Sequence, residues 1–402
     1  MLCCLGVIQN AVGKPVQGDD FFDRKREVEE IWSRLQTDDI LLLAPRRVGK
    51  TSLMFRLRED AAAHQRHALY VSVADATTEL AFARKLLAEI GKQDSNKDVL
   101  KVLTKSPVAK FLGKVKKFGV ASVFEFELKD DAEAHWATIG EAIVVALAAT
   151  GSKWLILVDE LPIFVLALLR ADASGNRARD FLNWFRTLRQ HSDLGQKVRW
   201  LLAGSIGLDT VTRRMGLGDT INDLYLYSDF GAFTRDTAFA LLGELAKSYS
   251  MTLADDVKGH ICGRMGWLIP FHLQMCFADL SARCPRGTPT LADVDAVYDN
   301  LLSPAKKTYF DFWRQRLQEE LGQPDDGRAI RILNAIAKDD EGATRQTLSG
   351  VLSADLADAV AREQQLLYLT DTLVSDGYVV MLGERYQFRS ALLRDYWRRN
   401  VV

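Results

Sequence analysis

Hydrophobic positions recur along this chain at two different spacings, and the changes of spacing mark its elements. "DDFFDRKREVEEIWSRL" (19–35) sets Val28, Ile31, Trp32 and Leu35 on one helical face behind acidic cap candidates. "ILLL" (40–43) is an unbroken apolar run, the mark of a strand buried on both faces. "TSLMFRLREDAAA" (51–63) predicts a helix, "ALYVSVAD" (68–75) a second strand, and 79–91 another helix. A helix near 134–150 leads to the buried strand "KWLILVDELP" (153–162). A helix over 178–191 leads to "VRWLLAGSIG" (198–207), a strand that ends in small residues. Strands alternating with helices predict a parallel α/β sheet.

Past about residue 235 the strand pattern stops, and 236–320 reads as helical. The turn-rich "GQPDDG" (322–327) predicts a boundary. Beyond it the pattern predicts helices near 328–338, 343–352 and 355–375. Two short strands, "GYVVML" and "RYQF", follow around a turn at Gly383, and "LLRDYWRR" closes the chain. Residues 1–18 read as a loose lead-in. Residues 92–133 fit the alternation least: "KSPVAKFLGKVKKFG" is basic, and "VASVFEFELKDD" alternates like a strand and then turns acidic. They are a candidate insertion.

Composition narrows the class only a little. The 402 residues suffice for two or three domains, and 48% hydrophobic with 26% charged residues is ordinary for a globular protein. A net charge of -1 supplies no global field toward nucleic acid or an anionic membrane. Cys3, Cys4, Cys262, Cys276 and Cys284 are odd in number and unpatterned, as expected of reduced thiols rather than a disulfide framework or a zinc site. Leu2–Ile8, "VLALLR" and "AIVVALAAT" are too short to span a bilayer. The expectation is a cytoplasmic protein with no membrane partner.

The chemistry starts at "ILLLAPRRVGKTSLM" (40–54). A bare Gly-Lys-Ser/Thr arises by chance in roughly one chain in five of this length, so context must decide. Here the loop follows a strand and opens a helix, which a phosphate cradle requires. Ala44, Pro45, Arg46, Arg47, Val48 and Gly49 would form the loop, with Ser52 beyond it. Gly49 would let the backbone approach closely, Lys50 would reach the β- and γ-phosphates, and Thr51 would bind Mg2+. Ala44 stands where the motif has its first glycine. Alanine fits there only if its φ is negative.

Two carboxylates end the apolar run "WLILVDE" (154–160): Asp159 would hold Mg2+, and Glu160 would polarise an attacking water as general base. Alone, the pair also reads as a strand running into a solvated turn. Its weight comes from following Lys50 by 109 positions with a strand between. In "WLLAGSIG" (200–207), Ser205 is placed to meet a γ-phosphate or water, or is a simple turn serine.

These stretches resemble the AAA+-related STAND ATPases, in particular the archaeal-type ATPases that also occur in bacteria. "GDDFFDRKREVEEIW" resembles that family's lead-in, "APRRVGKTSLM" its phosphate loop with the double arginine, and "LILVDELP" its Walker B. "AGSIGL" resembles its sensor 1, "GWLIPFHLQ" (266–274) its lid, and "YQFRSALLRDYWRR" (386–399) the end of its winged helix. The resemblance implies a P-loop NTPase αβα core with a parallel sheet (1–235), a helical lid (236–322) and a C-terminal winged helix (323–402). It implies ATP/ADP and Mg2+ as cofactors, with Phe22 and Arg24 near the adenine and Pro270 approaching from the lid. The plainer alternatives are a packed aromatic, a surface arginine and a helix-breaking proline. Arg213 and Arg214, or Arg46 and Arg47 within the loop, are the candidate arginine fingers.

The expected function is an ATP-binding, Mg2+-dependent ATPase that acts as a conformational switch with a protein partner. Signalling or defence is the role by analogy, and self-association is open. The alternatives are a DNA-associated ATPase of the replication-initiator or transposition-helper kind, and an interaction protein that holds nucleotide structurally. From Arg328 onward ten Lys/Arg balance ten Asp/Glu, which does not favour DNA as a partner of the winged helix. The basic stretch Lys101, Lys105, Lys110, Lys114, Lys116 and Lys117, with Phe111, Leu112 and Phe118, is the other cationic candidate; its plainer reading is a solvated helix face.

Overall fold

Ile40–Leu43 is β1, and its apolar run is explained by parallel neighbours on both sides. The computed structural model describes residues 8–92, 97–118, 123–128, 130–204 and 216–402. Contacts divide the chain into two units: Arg24–Leu43 with Lys50–Phe230, and Met1–Asp23 with Ala44–Gly49 and Gly231–Val402.

The first unit is the α/β one. In chain order it holds α1 (Lys25–Arg34), β1, α2 (Lys50–Asp60), β2 (Arg66–Ser72), α3 (Glu79–Gly91), α4 (Lys97–Lys105), β3 (Leu112–Phe118) and β4 (Val123–Leu128). Then come α5 (Trp136–Ala149), β5 (Lys153–Asp159), α6 (Leu161–Ala171), α7 (Asn176–Gln190), α8 (Ser192–Lys197), β6 (Val198–Gly204) and β7 (Tyr225–Tyr227). The five-stranded sheet has the order β2-β5-β6-β1-β7, with parallel pairs throughout. Parallel strands need helical crossovers, and these bury the sheet. Leu155, Ile156, Leu157 and Val158 of β5 are fully buried, as are Ile139, Ile143 and Leu147 of α5. Residues 132–149 are long and apolar enough to cross a membrane by length and composition, although the quoted run "AIVVALAAT" alone is not.

The sequence pattern missed β7, because three residues of Tyr-Leu-Tyr carry no readable period. The described residues within 92–133 include α4 and an antiparallel β3–β4 pair outside the main sheet. The basic stretch is therefore not one helix face: Lys101 and Lys105 lie on α4, Lys110 beyond it, and Lys114, Lys116 and Lys117 on β3.

The second unit is mainly helical. It holds α9 (Arg235–Ser248), α10 (Asp255–Met265), α11 (Pro270–Arg283), α12 (Leu291–Leu301), α13 (Asp311–Leu321) and α14 (Asp325–Ala337). It ends with β8 (Ala343–Thr344), α15 (Arg345–Leu352), α16 (Ala359–Ser375), β9 (Val379–Leu382), β10 (Arg385–Phe388) and α17 (Ala391–Asn400). The three strands form an antiparallel sheet, β8-β10-β9. Two-residue β8 was not expected. The segments before and after "GQPDDG" pack together: Phe310 stacks on Tyr396 at 4.1 Å, and the Tyr298 hydroxyl donates to Asp395 at 2.7 Å.

Candidate functional site

Lys50 and Thr51 open α2 directly after the loop that leaves β1. Within the loop, Arg47 (φ 65°) and Gly49 (φ 101°) are left-handed, and Ala44 is not among the positive-φ residues. The condition for alanine at the first position is thus met. Lys50 and Ser52 are buried, at 6% and 8% exposure.

Thr51 meets the carboxylate strand. Its hydroxyl donates to Asp159 Oδ2 at 2.8 Å, across 108 residues of sequence. The Tyr70 hydroxyl donates to the same oxygen at 2.9 Å. Tyr70 was not singled out from sequence. The only signal is a hydroxyl-bearing aromatic on β2, the strand that pairs with β5. Asp159 is 4% exposed, and its Oδ1 is buried with no hydrogen-bond partner among the described residues. Burial raises the Asp159 carboxyl above its usual range, and neighbouring Glu160 raises it further. The Thr51 and Tyr70 hydrogen bonds and the Lys50 charge pull the other way. The Tyr70 hydroxyl is itself raised, by burial and then by Asp159.

The donor set suits Mg2+. A hard divalent cation takes oxygen ligands, and here a threonine hydroxyl lies beside a buried carboxylate with one oxygen unmatched. A cation or its bound water would satisfy that oxygen and reverse the penalty of burying the charge.

Glu160 follows β5 in the left-handed region (φ 61°, ψ 35°) and caps α6. Pro162 lies in the first turn of α6. A Cβ on Gly204, the last residue of β6, would fall 2.3 Å from Pro162 Cγ and Cδ, so only glycine fits this approach. Ser205, Arg213 and Arg214 lie outside the described residues.

Arg24 is not a surface arginine. It is 6% exposed, stacks over Phe230 at 4.5 Å and donates to Glu27 at 2.8 Å. Phe22 meets Phe233 edge-on at 6.5 Å. Pro270 begins α11 rather than breaking a helix, as its fixed φ allows.

The sheet order completes the picture. β6 lies between β1 and β5, so the phosphate-loop strand and the carboxylate strand are separated by one added strand. The fold is that of the P-loop ATPases. Among solved structures, a Walker-type ATPase of Pyrococcus abyssi is similar over 97% of this chain and 99% of its own, at 17% identity and TM-score 0.62. The ORC2 protein of Aeropyrum pernix, described as ADPNP–ADP complexes, is similar over 94% of each chain, at 16% identity and TM-score 0.52. No family model matches the chain, and no curated protein matches it. The likeness is one of P-loop ATPase fold and does not single out the STAND class.

Proposed function

We propose that this protein is an ATP-binding, Mg2+-dependent ATPase that works as a nucleotide-driven switch. The observation that carries the reading is the Thr51–Asp159 hydrogen bond beside the unmatched Asp159 Oδ1. Loop residues 44–49 would wrap the phosphates, all but Pro45 offering a backbone N–H group, and Lys50 would neutralise the β- and γ-oxygens. Thr51 and Asp159 would hold Mg2+, which would polarise the terminal phosphate. Glu160 would take a proton from the attacking water. Ser205 would orient that water, and Phe22, Arg24 and Pro270 would border the adenine.

In this reading the core, lid and winged helix are residues 1–235, 236–322 and 323–402. The order α14-β8-α15-α16-β9-β10 supports the last of these. The protein acts in the cytoplasm on a protein partner, in the manner of STAND ATPases. Charge pairing disfavours the DNA-associated alternative. Arg328, Arg331, Arg345, Arg385, Arg394 and Arg398 all pair with carboxylates of the same region. Cations neutralised in this way contribute little to phosphate-backbone binding.

The test is phosphate release from Mg-ATP by wild type, Glu160→Gln and Lys50→Ala. Turnover by wild type alone is expected, with nucleotide still bound by Glu160→Gln. Nucleotide binding to Lys50→Ala as tight as to wild type refutes the site.

A further inference from the structure

Arg47 is enclosed. Its guanidinium carbon lies 3.7 Å from the Phe271 ring centroid and 3.8 Å from that of Phe312. A planar guanidinium matches two aromatic faces in a way that a lysine ammonium does not. Phe271 is second in α11 and 3% exposed; Phe312 is second in α13 and half-buried. Burial and the neighbouring Arg46 lower the Arg47 pKa to about 10, so the group stays charged at neutral pH. Arginine holds a left-handed φ only at a cost, and the two rings offset it.

Pro45 is gripped separately. A Cβ on Gly377 (φ 82°) would fall 2.8 Å from Pro45 Cβ and 3.0 Å from Trp267, so this turn touches the loop only as glycine. The turn is fixed on both sides. Arg316, 1% exposed, pairs with Asp376 at 3.2 Å, and the Tyr378 hydroxyl donates to Trp313 O at 2.5 Å. Phe312 and Arg316 stand one turn apart on α13. One helix thus holds the loop directly at Arg47 and, through the Gly377 turn, at Pro45.

We propose that Arg47 is a positioning residue of the phosphate loop, clamped between Phe271 and Phe312 so that the loop keeps the left-handed turn at Arg47 that shapes it for phosphates. The proposal rests on the reading of this loop as the ATP site. It removes Arg47 from the candidate arginine fingers, because a guanidinium packed 3.7 and 3.8 Å from two ring centroids is not free to swing onto a γ-phosphate. It also makes α13 a coupling element, since any displacement of Phe312 and Arg316 loosens both loop anchors.

The test is titration with a fluorescent ADP analogue and Mg2+. Arg47→Lys keeps the charge and loses the stacking plane; Phe312→Leu removes one ring; Phe312→Tyr restores it. Each of the first two is expected to weaken binding about tenfold, and the double variant no further than either single. Phe312→Tyr is expected to bind as wild type does. If Phe312→Leu binds like wild type while Arg47→Lys is weak, Arg47 touches phosphate directly and the clamp is overturned. Additive losses overturn it as well. Amide exchange over 44–49 in nucleotide-free protein is an independent readout, expected to be about tenfold faster in Phe312→Leu. Unchanged exchange overturns the clamp. If wild type binds the analogue no better than Lys50→Ala, the ATP reading fails, and exchange alone then decides the clamp.

Discussion

Asp39 stands immediately before β1, where three strands converge, and it is 8% exposed. Its Oδ1 accepts from the Trp200 N–H of β6 at 2.9 Å, and its carbonyl accepts from the Tyr225 N–H of β7 at 2.9 Å. Arg189 is nearby, but its Nε is 4.0 Å from Asp39 Oδ2. The Arg189 Nη2 is already engaged by Asp223 at 3.0 Å and Thr220 O at 3.4 Å. Burial therefore prevails over the ion pair, and the Asp39 carboxyl is pushed from 3.8 to about 6. A raised folded pKa means that the folded state binds the proton more tightly. The stability this gives is fully present below about pH 4 and is lost as pH rises through about 6. About two pKa units at 1.36 kcal/mol each is about 3 kcal/mol, of which about 1 is already lost by pH 4.5. Asp39→Asn keeps an acceptor for Trp200 and does not titrate. Relative to wild type it is expected to gain about 2 kcal/mol between about pH 4.5 and about pH 7.5. Urea unfolding of both proteins across that range reads the difference directly. A difference that stays flat refutes the reasoning. A variant that loses ground as pH rises means that Arg189 outweighs burial.

Three further outcomes follow from single contacts. Gly204→Ala drives a Cβ into Pro162 and is expected to cost about 2–3 kcal/mol in thermal unfolding; a neutral result means that α6 moves aside freely. Glu160→Gly relieves a left-handed glutamate and is expected to stabilise the fold by about 0.5–1 kcal/mol while abolishing ATP turnover, a pairing that a purely structural glutamate does not give. Tyr70→Phe removes a donor that lowers the Asp159 pKa, so the acid limb of the pH–rate profile is expected to move to higher pH. An unmoved limb refutes the Tyr70 role.

The long apolar runs made the α/β unit legible. β1, β5 and β6 are continuous hydrophobic stretches because helices cover both faces of the sheet, and α7 carries a clear helical period. What escaped was set by tertiary context. β7 and β8 are too short to show a period, and each exists only because a neighbouring strand offers its edge. Arg24 is polar by type yet buried: Glu27 pairs with it locally at i,i+3, but Phe230, which covers it, lies at a position no local pattern connects. Tyr70 is legible only once β2 is known to lie beside β5. The loop itself was readable as a motif, but its grip by Phe271, Phe312 and Gly377 depends on residues more than two hundred positions away.

The adjacency of Asp159 and Glu160 sets a geometric problem, because consecutive strand residues point to opposite faces of a sheet. For both to serve one nucleotide, the chain must leave strand geometry between them. It does so at once: Asp159 is the last residue of β5, and Glu160 turns left-handed and caps α6. The Glu160 carbonyl accepts the first helical N–H groups, from Ile163 at 3.1 Å and Phe164 at 3.4 Å. Pro162, with its fixed φ, then seats against Gly204 at the end of β6. The direction of the Glu160 side chain is therefore set by a strained backbone step held in place by a proline–glycine contact between two strand ends. That arrangement predicts that Gly204→Ala impairs turnover more than nucleotide binding, since the displaced turn carries Glu160 itself whereas Lys50 and Thr51 are held by α2. Equal losses in both would place the strain elsewhere.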